Sequence, residues 1–269
     1  MNKANSHKKL PAQAIAAIFV FAVLIALAFA WAVFADVIIL RKTEGLGGAE
    51  RAISILYVGD SFIFVGGLPR QLQAIARASG IDTSYKDISR HANRGGTLKE
   101  NMENAIRELQ SGRYSYIVIH DQNRKSLSDI EGLLADIQTL CNAAVENGAI
   151  PVLYDFAGIA AHGKPDEERL SISINAYRQA ANSNNAILVR AAEAWVYAYQ
   201  AMPEISLYTR FDPRGLHPSR AGGFMSACVF AAEVFGIQVT QMPKGSIYTG
   251  SDALGLAQAA WDFASLPRE

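Results

Sequence analysis

The chain has 269 residues, half of them hydrophobic, which is enough apolar surface for one sizeable buried core and excludes a predominantly disordered chain. Lysine plus arginine equal aspartate plus glutamate at 25 each, so the formal net charge is zero and no global field directs the chain towards nucleic acid. The two cysteines, Cys141 and Cys228, lie in apolar helical periodicity rather than at metal-ligand spacing; this predicts buried thiols, with a disulfide between them left open.

Lys3, Lys8 and Lys9 precede an uncharged run from Leu10 to Ala35, rich in Ala, Val, Ile, Leu and Phe. Such a run is long enough to cross a bilayer as a helix, and the basic flank favours a cytoplasmic amino terminus. Residues 1–40 therefore read as a signal-anchor or transmembrane segment, with everything after it extracytoplasmic. Small residues at Ala28 and Ala30, or at Val33 and Ala35, keep cleavage open, and with it a periplasmic or secreted product. Residues 41–51, charged and glycine-containing, read as a linker, and 52–269 as one domain.

Within that domain, strand-length apolar runs alternate with amphipathic segments. The strands are expected at Ile53–Val58, Thr83–Ile88, Tyr116–Ile119, Ile150–Tyr154 and Ile187–Val189. The helices are expected at Leu68–Ala78, Leu98–Leu109, Ile130–Val145 and Gly222–Phe235, with a last apolar helix at Ala253–Leu266 after a loop from Gln238 to Ser251. Thr97 with Glu100 and Ser128 with Glu131 have capping-box spacing. Repeated strand–helix units with short apolar strands predict an α/β fold, a parallel sheet covered by helices on both faces.

In such sheets ligands bind where strands hand over to helices at their carboxyl ends. The first of these loops holds Gly59-Asp60-Ser61-Phe62, where a serine hydroxyl can enter a cleft while its N–H faces an oxyanion. The second holds Asn93-Arg94-Gly95-Gly96-Thr97, whose glycines let backbone N–H groups approach a ligand. The third, His120-Asp121-Gln122-Asn123, offers a side-chain amide as a donor. Near the carboxyl end, Asp212 to Ser219 contains His217, an imidazole suited to general-base work near neutral pH. His91 and His162 belong to no cluster legible in the sequence, and no metal site is expected.

In order and spacing, these four loops resemble the blocks of the GDSL/SGNH hydrolase superfamily over roughly residues 53–236. Gly59-Asp60-Ser61 resembles the first block and Gly95 the block-two glycine. Gln122 falls where the third block has asparagine, or glutamine in one branch, and Gly215-Leu216-His217-Pro218-Ser219 resembles block five. The resemblance implies a three-layer α/β/α sandwich with a mainly parallel, flavodoxin-like sheet. It implies a serine esterase in which Ser61 is the nucleophile and His217 the base. The oxyanion hole would comprise the Ser61 and Gly95 N–H groups and the Gln122 side chain. Carboxylic esters, O-acetyl carbohydrates among them, are the implied substrates, with no metal or organic cofactor.

One position departs from the pattern: the family's aspartate, three residues before the histidine, is Arg214 here. A carboxylate there would favour the imidazolium formed during reaction, whereas a guanidinium opposes it. Asp212 is the substitute carboxylate within reach in sequence, and a Ser–His dyad is the alternative. Two other functions follow from the departure: a catalytically impaired, membrane-anchored protein that binds a glycan or a partner in its cleft, and an O-acyltransferase.

Overall fold

The computed structural model describes residues 52–83, 88–121, 127–156, 160–161, 164–209 and 217–268. The expected membrane segment at 1–40, the linker at 41–51, and Gln122, Asp212 and Arg214 lie outside the described residues. Among the described residues, no helix is long and apolar enough to cross a membrane. Residues 52–269 form one compact unit.

Five strands build the main sheet: β1 (Ile55–Asp60), β2 (Ile88–Asn93), β3 (Tyr116–Ile119), β4 (Ile150–Asp155) and β7 (Ile187–Arg190). Their order is β2-β1-β3-β4-β7 and every neighbouring pair is parallel. A two-stranded antiparallel ribbon, β5 (Ala160–Ala161) with β6 (Lys164–Pro165), stands apart from it. All six residues of β1 are buried, because a central parallel strand is covered on both faces and must be apolar on both.

The helices are α1 (Ser61–Phe64), α2 (Leu68–Ala78), α3 (Leu98–Leu109), α4 (Ile130–Glu146), α5 (Glu167–Asn184), α6 (Ala191–Ala201), α7 (Arg220–Phe235) and α8 (Ala253–Ala264). Alternate strand residues face opposite layers. Ile55, Tyr57, Val118, Val152, Tyr154 and Val189 pack with α2, α6, α7 and α8. Leu56, Val58, Ile117, Ile119, Leu153 and Leu188 pack with α3, α4 and α5. The result is the expected α/β/α sandwich. Cys228 and Cys141 are free, buried and in opposite layers, so the sheet lies between them and the disulfide alternative is closed.

Several expected boundaries move. The second strand begins at Ile88, where the sequence reading ends it, and carries Ser, Arg, His and Asn. As an edge strand it has one sheet neighbour, so polar side chains there are tolerated and an apolar-run search misses them. Helix α4 is capped by Asp129, which accepts from Gly132 N at 2.9 Å, rather than by Ser128. The Thr97–Glu100 capping box is present as expected. Helices α5 and α6 are absent from the sequence reading altogether.

Strand β1 lies between β2 and β3, so the chain changes its direction of winding at the gap between β1 and β3. Loops leaving the carboxyl ends of these two strands diverge there and open a crevice.

Candidate active site

Ser61 follows β1 directly and is the first residue of α1; it is 5% exposed. Asp60 closes the strand and caps the helix, its Oδ1 accepting from Phe62 N at 2.9 Å. That single hydrogen bond fixes the tight strand-to-helix turn on which the Ser61 hydroxyl stands. The turn lies close against the neighbouring strand. A Cβ on Gly59 would collide with the His120 carbonyl oxygen, so residue 59 must be glycine for β1 and the end of β3 to approach.

His217 comes from the other end of the chain. An antiparallel bridge between Tyr208 and Pro218 holds it, with Thr209 N donating to His217 O at 2.9 Å and Ser219 N donating to Leu207 O at 2.8 Å. Ser219 then caps α7, its Oγ accepting from Gly222 N at 3.1 Å. Helix α7 in turn abuts the turn after α1: a Cβ on Gly223 would run into the Gly66 carbonyl. The segments carrying serine and histidine are thus locked to each other by backbone contact. The outcome is a 2.9 Å separation between Ser61 Oγ and His217 Nε2. The Phe62 ring lies 5.0 Å from the His217 ring and limits its rotation.

The β2 loop leaves the sheet beside the serine, because Asn93 is the register partner of Asp60. Asn101 of α3 donates from Nδ2 to Gly59 O at 3.1 Å and accepts from Asn93 Nδ2 at 3.3 Å. Gly95, at the exposed tip, has φ +67° and open space on its Cβ side. The third loop is tied in by Asp121, whose Oδ1 accepts from Leu98 N at 3.2 Å and whose N donates to Tyr177 Oη at 2.9 Å. The structure therefore brings Ser61 and His217 together and sets the Gly95 loop and the end of β3 at the same sheet edge. Gln122 and Asp212, the remaining sequence-selected residues, lie outside the described set.

Sequence reasoning undervalued two histidines. His91 is paired with Glu108, Nε2 to Oε2 at 2.5 Å, on the outer edge of the sheet. His120 is fully buried behind the serine turn, with Nε2 3.5 Å from Asp60 Oδ1. Neither partner is near in sequence, so no local pattern reveals the pairs. Among the described residues no group of His, Cys, Asp and Glu could hold a metal ion.

A groove of about 930 Å³ runs between the start of α7 and the segment before α8, and neither Ser61, Gly95 nor His217 is among the residues that line it. Ser206, Ser219, Arg220, Tyr248, Thr249 and Asp252 line much of it.

No family model matches the chain, and no curated protein matches it in sequence. Solved structures do resemble it. A DUF4886 family protein from Bacteroides uniformis superposes with a TM-score of 0.58 at 16% identity, over 78% of this chain and 94% of that one. The acetyl xylan esterase AlAXEase gives 0.55 at 16% identity, over 68% of this chain and all (100%) of that one. A protein proposed to be an SGNH hydrolase, from Slackia heliotrinireducens, gives 0.52 at 21% identity, over 68% and 98%.

Proposed function

From the SGNH hydrolase fold that this chain shares with those structures, we propose that it is a serine ester hydrolase. The observation that carries the reading is the 2.9 Å contact of Ser61 Oγ with His217 Nε2 at the sheet's switch point. In this reading Ser61 Oγ attacks the ester carbonyl carbon and passes its proton to His217 Nε2. The negative charge on the carbonyl oxygen is met by the N–H groups of Ser61 and Gly95 and by the Gln122 amide. Collapse expels the alcohol, which takes the proton from His217; water then attacks the acyl-serine by the same route in reverse.

Acylated carbohydrates are the substrate class we favour. The acetyl xylan esterase among the solved structures with this fold supports that choice. Residues 10–35 would anchor the domain on the outer side of a membrane, where glycan esters are found. Asp212 is the carboxylate we assign to orient His217.

Arg214, in the place of the family's aspartate, favours a second reading, an impaired cleft that binds without turnover. Incubating the full chain and its Ser61→Ala variant with p-nitrophenyl acetate and a fluorophosphonate separates the two. Labelling and hydrolysis that vanish in Ser61→Ala support the enzyme. A folded wild-type chain that neither labels nor hydrolyses overturns it in favour of binding, and transfer to sugar acceptors faster than hydrolysis identifies an O-acyltransferase.

A further inference from the structure

Behind the serine turn stands a second imidazole that the reaction above does not use. His120 Nδ1 lies 2.9 Å from the Tyr154 carbonyl oxygen, which can only accept, so Nδ1 carries a proton. On the opposite side Nε2 faces Asp60 Oδ1 at 3.5 Å, within ion-pair reach, and has no hydrogen-bond partner among the described residues. Both side chains are almost completely buried, at 0% and 3% exposure. A neutral ring with its proton on Nδ1 would point the Nε2 lone pair at a carboxylate in this low-dielectric setting. A second proton between the two groups removes that conflict.

The surroundings favour the same arrangement. Asp121 adjoins the ring on its own segment, Tyr154 and Asp155 face it from β4, Tyr177 of α5 stacks on it at 6.4 Å, and His217 lies beyond the Phe62 ring. Burial alone would lower the affinity of His120 for its proton; Asp60, the Tyr154 carbonyl and Asp121 together raise it above the ordinary 6.5. Asp60 is also the group that caps Phe62 N, so it links His120 to the backbone presenting Ser61.

We infer that His120 is a positioning residue, holding a proton against Asp60 so that this carboxylate fixes the Ser61 turn without placing net negative charge behind the reacting oxygen. His120 does not touch Ser61; it acts through Asp60 and Phe62 N–H. The kinetic part rests on the reading of Ser61 as a nucleophile, whereas the protonation state does not.

Two measurements on the full chain test it. In ¹⁵N-histidine NMR, His120 is expected to keep both ring nitrogens protonated in the wild type at a pH where it has lost the second proton in Asp60→Asn. Fluorophosphonate labelling of His120→Gln is expected to slow by roughly 10- to 100-fold. The acidic limb of its pH profile is expected to move to higher pH, since the unneutralised Asp60 then favours a protonated base. Adding Asp60→Asn to His120→Gln is expected to return that limb. A neutral His120 ring in the wild type overturns the inference, as does a folded His120→Gln with wild-type rate and profile. If the wild type fails to label, the hydrolase reading fails while the NMR result still decides the pair.

Discussion

Ser61 Oγ and His217 Nε2 meet at 2.9 Å although 156 positions separate them in the chain. Residues that act as a unit lose their effect together. Ser61→Ala and His217→Gln are each expected to reduce p-nitrophenyl acetate hydrolysis by about 10³-fold or more, with the double variant little worse than either. Because the base must accept a proton, the wild-type rate is expected to climb with pH until the base is deprotonated and then level off.

Gly59 is set by contact rather than by chemistry. Gly59→Ala forces a methyl group against the His120 carbonyl and is expected to cost about 1–3 kcal/mol of stability. Thermal melting reads that loss, and hydrolysis should fall by more than the unfolded fraction accounts for, since the Ser61 turn moves with β1.

Asp155, at the end of β4, is fully buried, and neither carboxyl oxygen has a hydrogen-bond partner among the described residues. Burial, with the nearby Glu193 carboxylate adding to it, pushes its pKa from 3.8 up to about 8. Below 3.8 the group is protonated in both folded and unfolded chains. Above that the unfolded chain ionises first, so stability falls as pH rises, by at most about 1.4 kcal/mol per unit, until the folded group ionises near 8. Denaturant unfolding at several pH values should show this slope in the wild type and a flatter one in Asp155→Asn.

Glu233 of α7 holds Arg190 at the end of β7, accepting from Nε at 2.7 Å and from the backbone N at 2.8 Å. Side-chain exposure is 6% for the arginine and 0% for the glutamate, and the guanidinium lies 4.7 Å over the Phe263 ring of α8. Removing one partner leaves the other buried and uncompensated. Glu233→Ala is expected to cost about 3–5 kcal/mol, seen as a melting-temperature drop of roughly 10 °C. Arg190→Met combined with Glu233→Leu should cost less than Glu233→Ala alone.

The strands Tyr116–Ile119 and Ile150–Asp155 and the helix Leu98–Leu109 were readable because a covered parallel strand is a short apolar run and a half-buried helix repeats every three to four residues. The same signal failed at Ile88–Asn93, an edge strand with polar residues, and at Glu167–Asn184 and Ala191–Ala201. Helix α5 buries a narrow, alanine-rich stripe of Leu170, Ser173, Ala176, Tyr177, Ala180 and Ala181, while Ala, Trp and Tyr run almost without polar interruption through α6. Neither has a clear periodic contrast between its faces.

By itself the sequence determined the class of fold and the four loops worth inspecting, since both are written in local patterns: apolar periodicity, capping residues and turn glycines. Only the tertiary structure decided that Ser61 faces His217, that Gly59 must lack a side chain, and that Asp60, His120 and Asp155 share one buried environment. Those relationships depend on which strands become neighbours and on how closely backbones pack. Short-range sequence spacing carries no record of either.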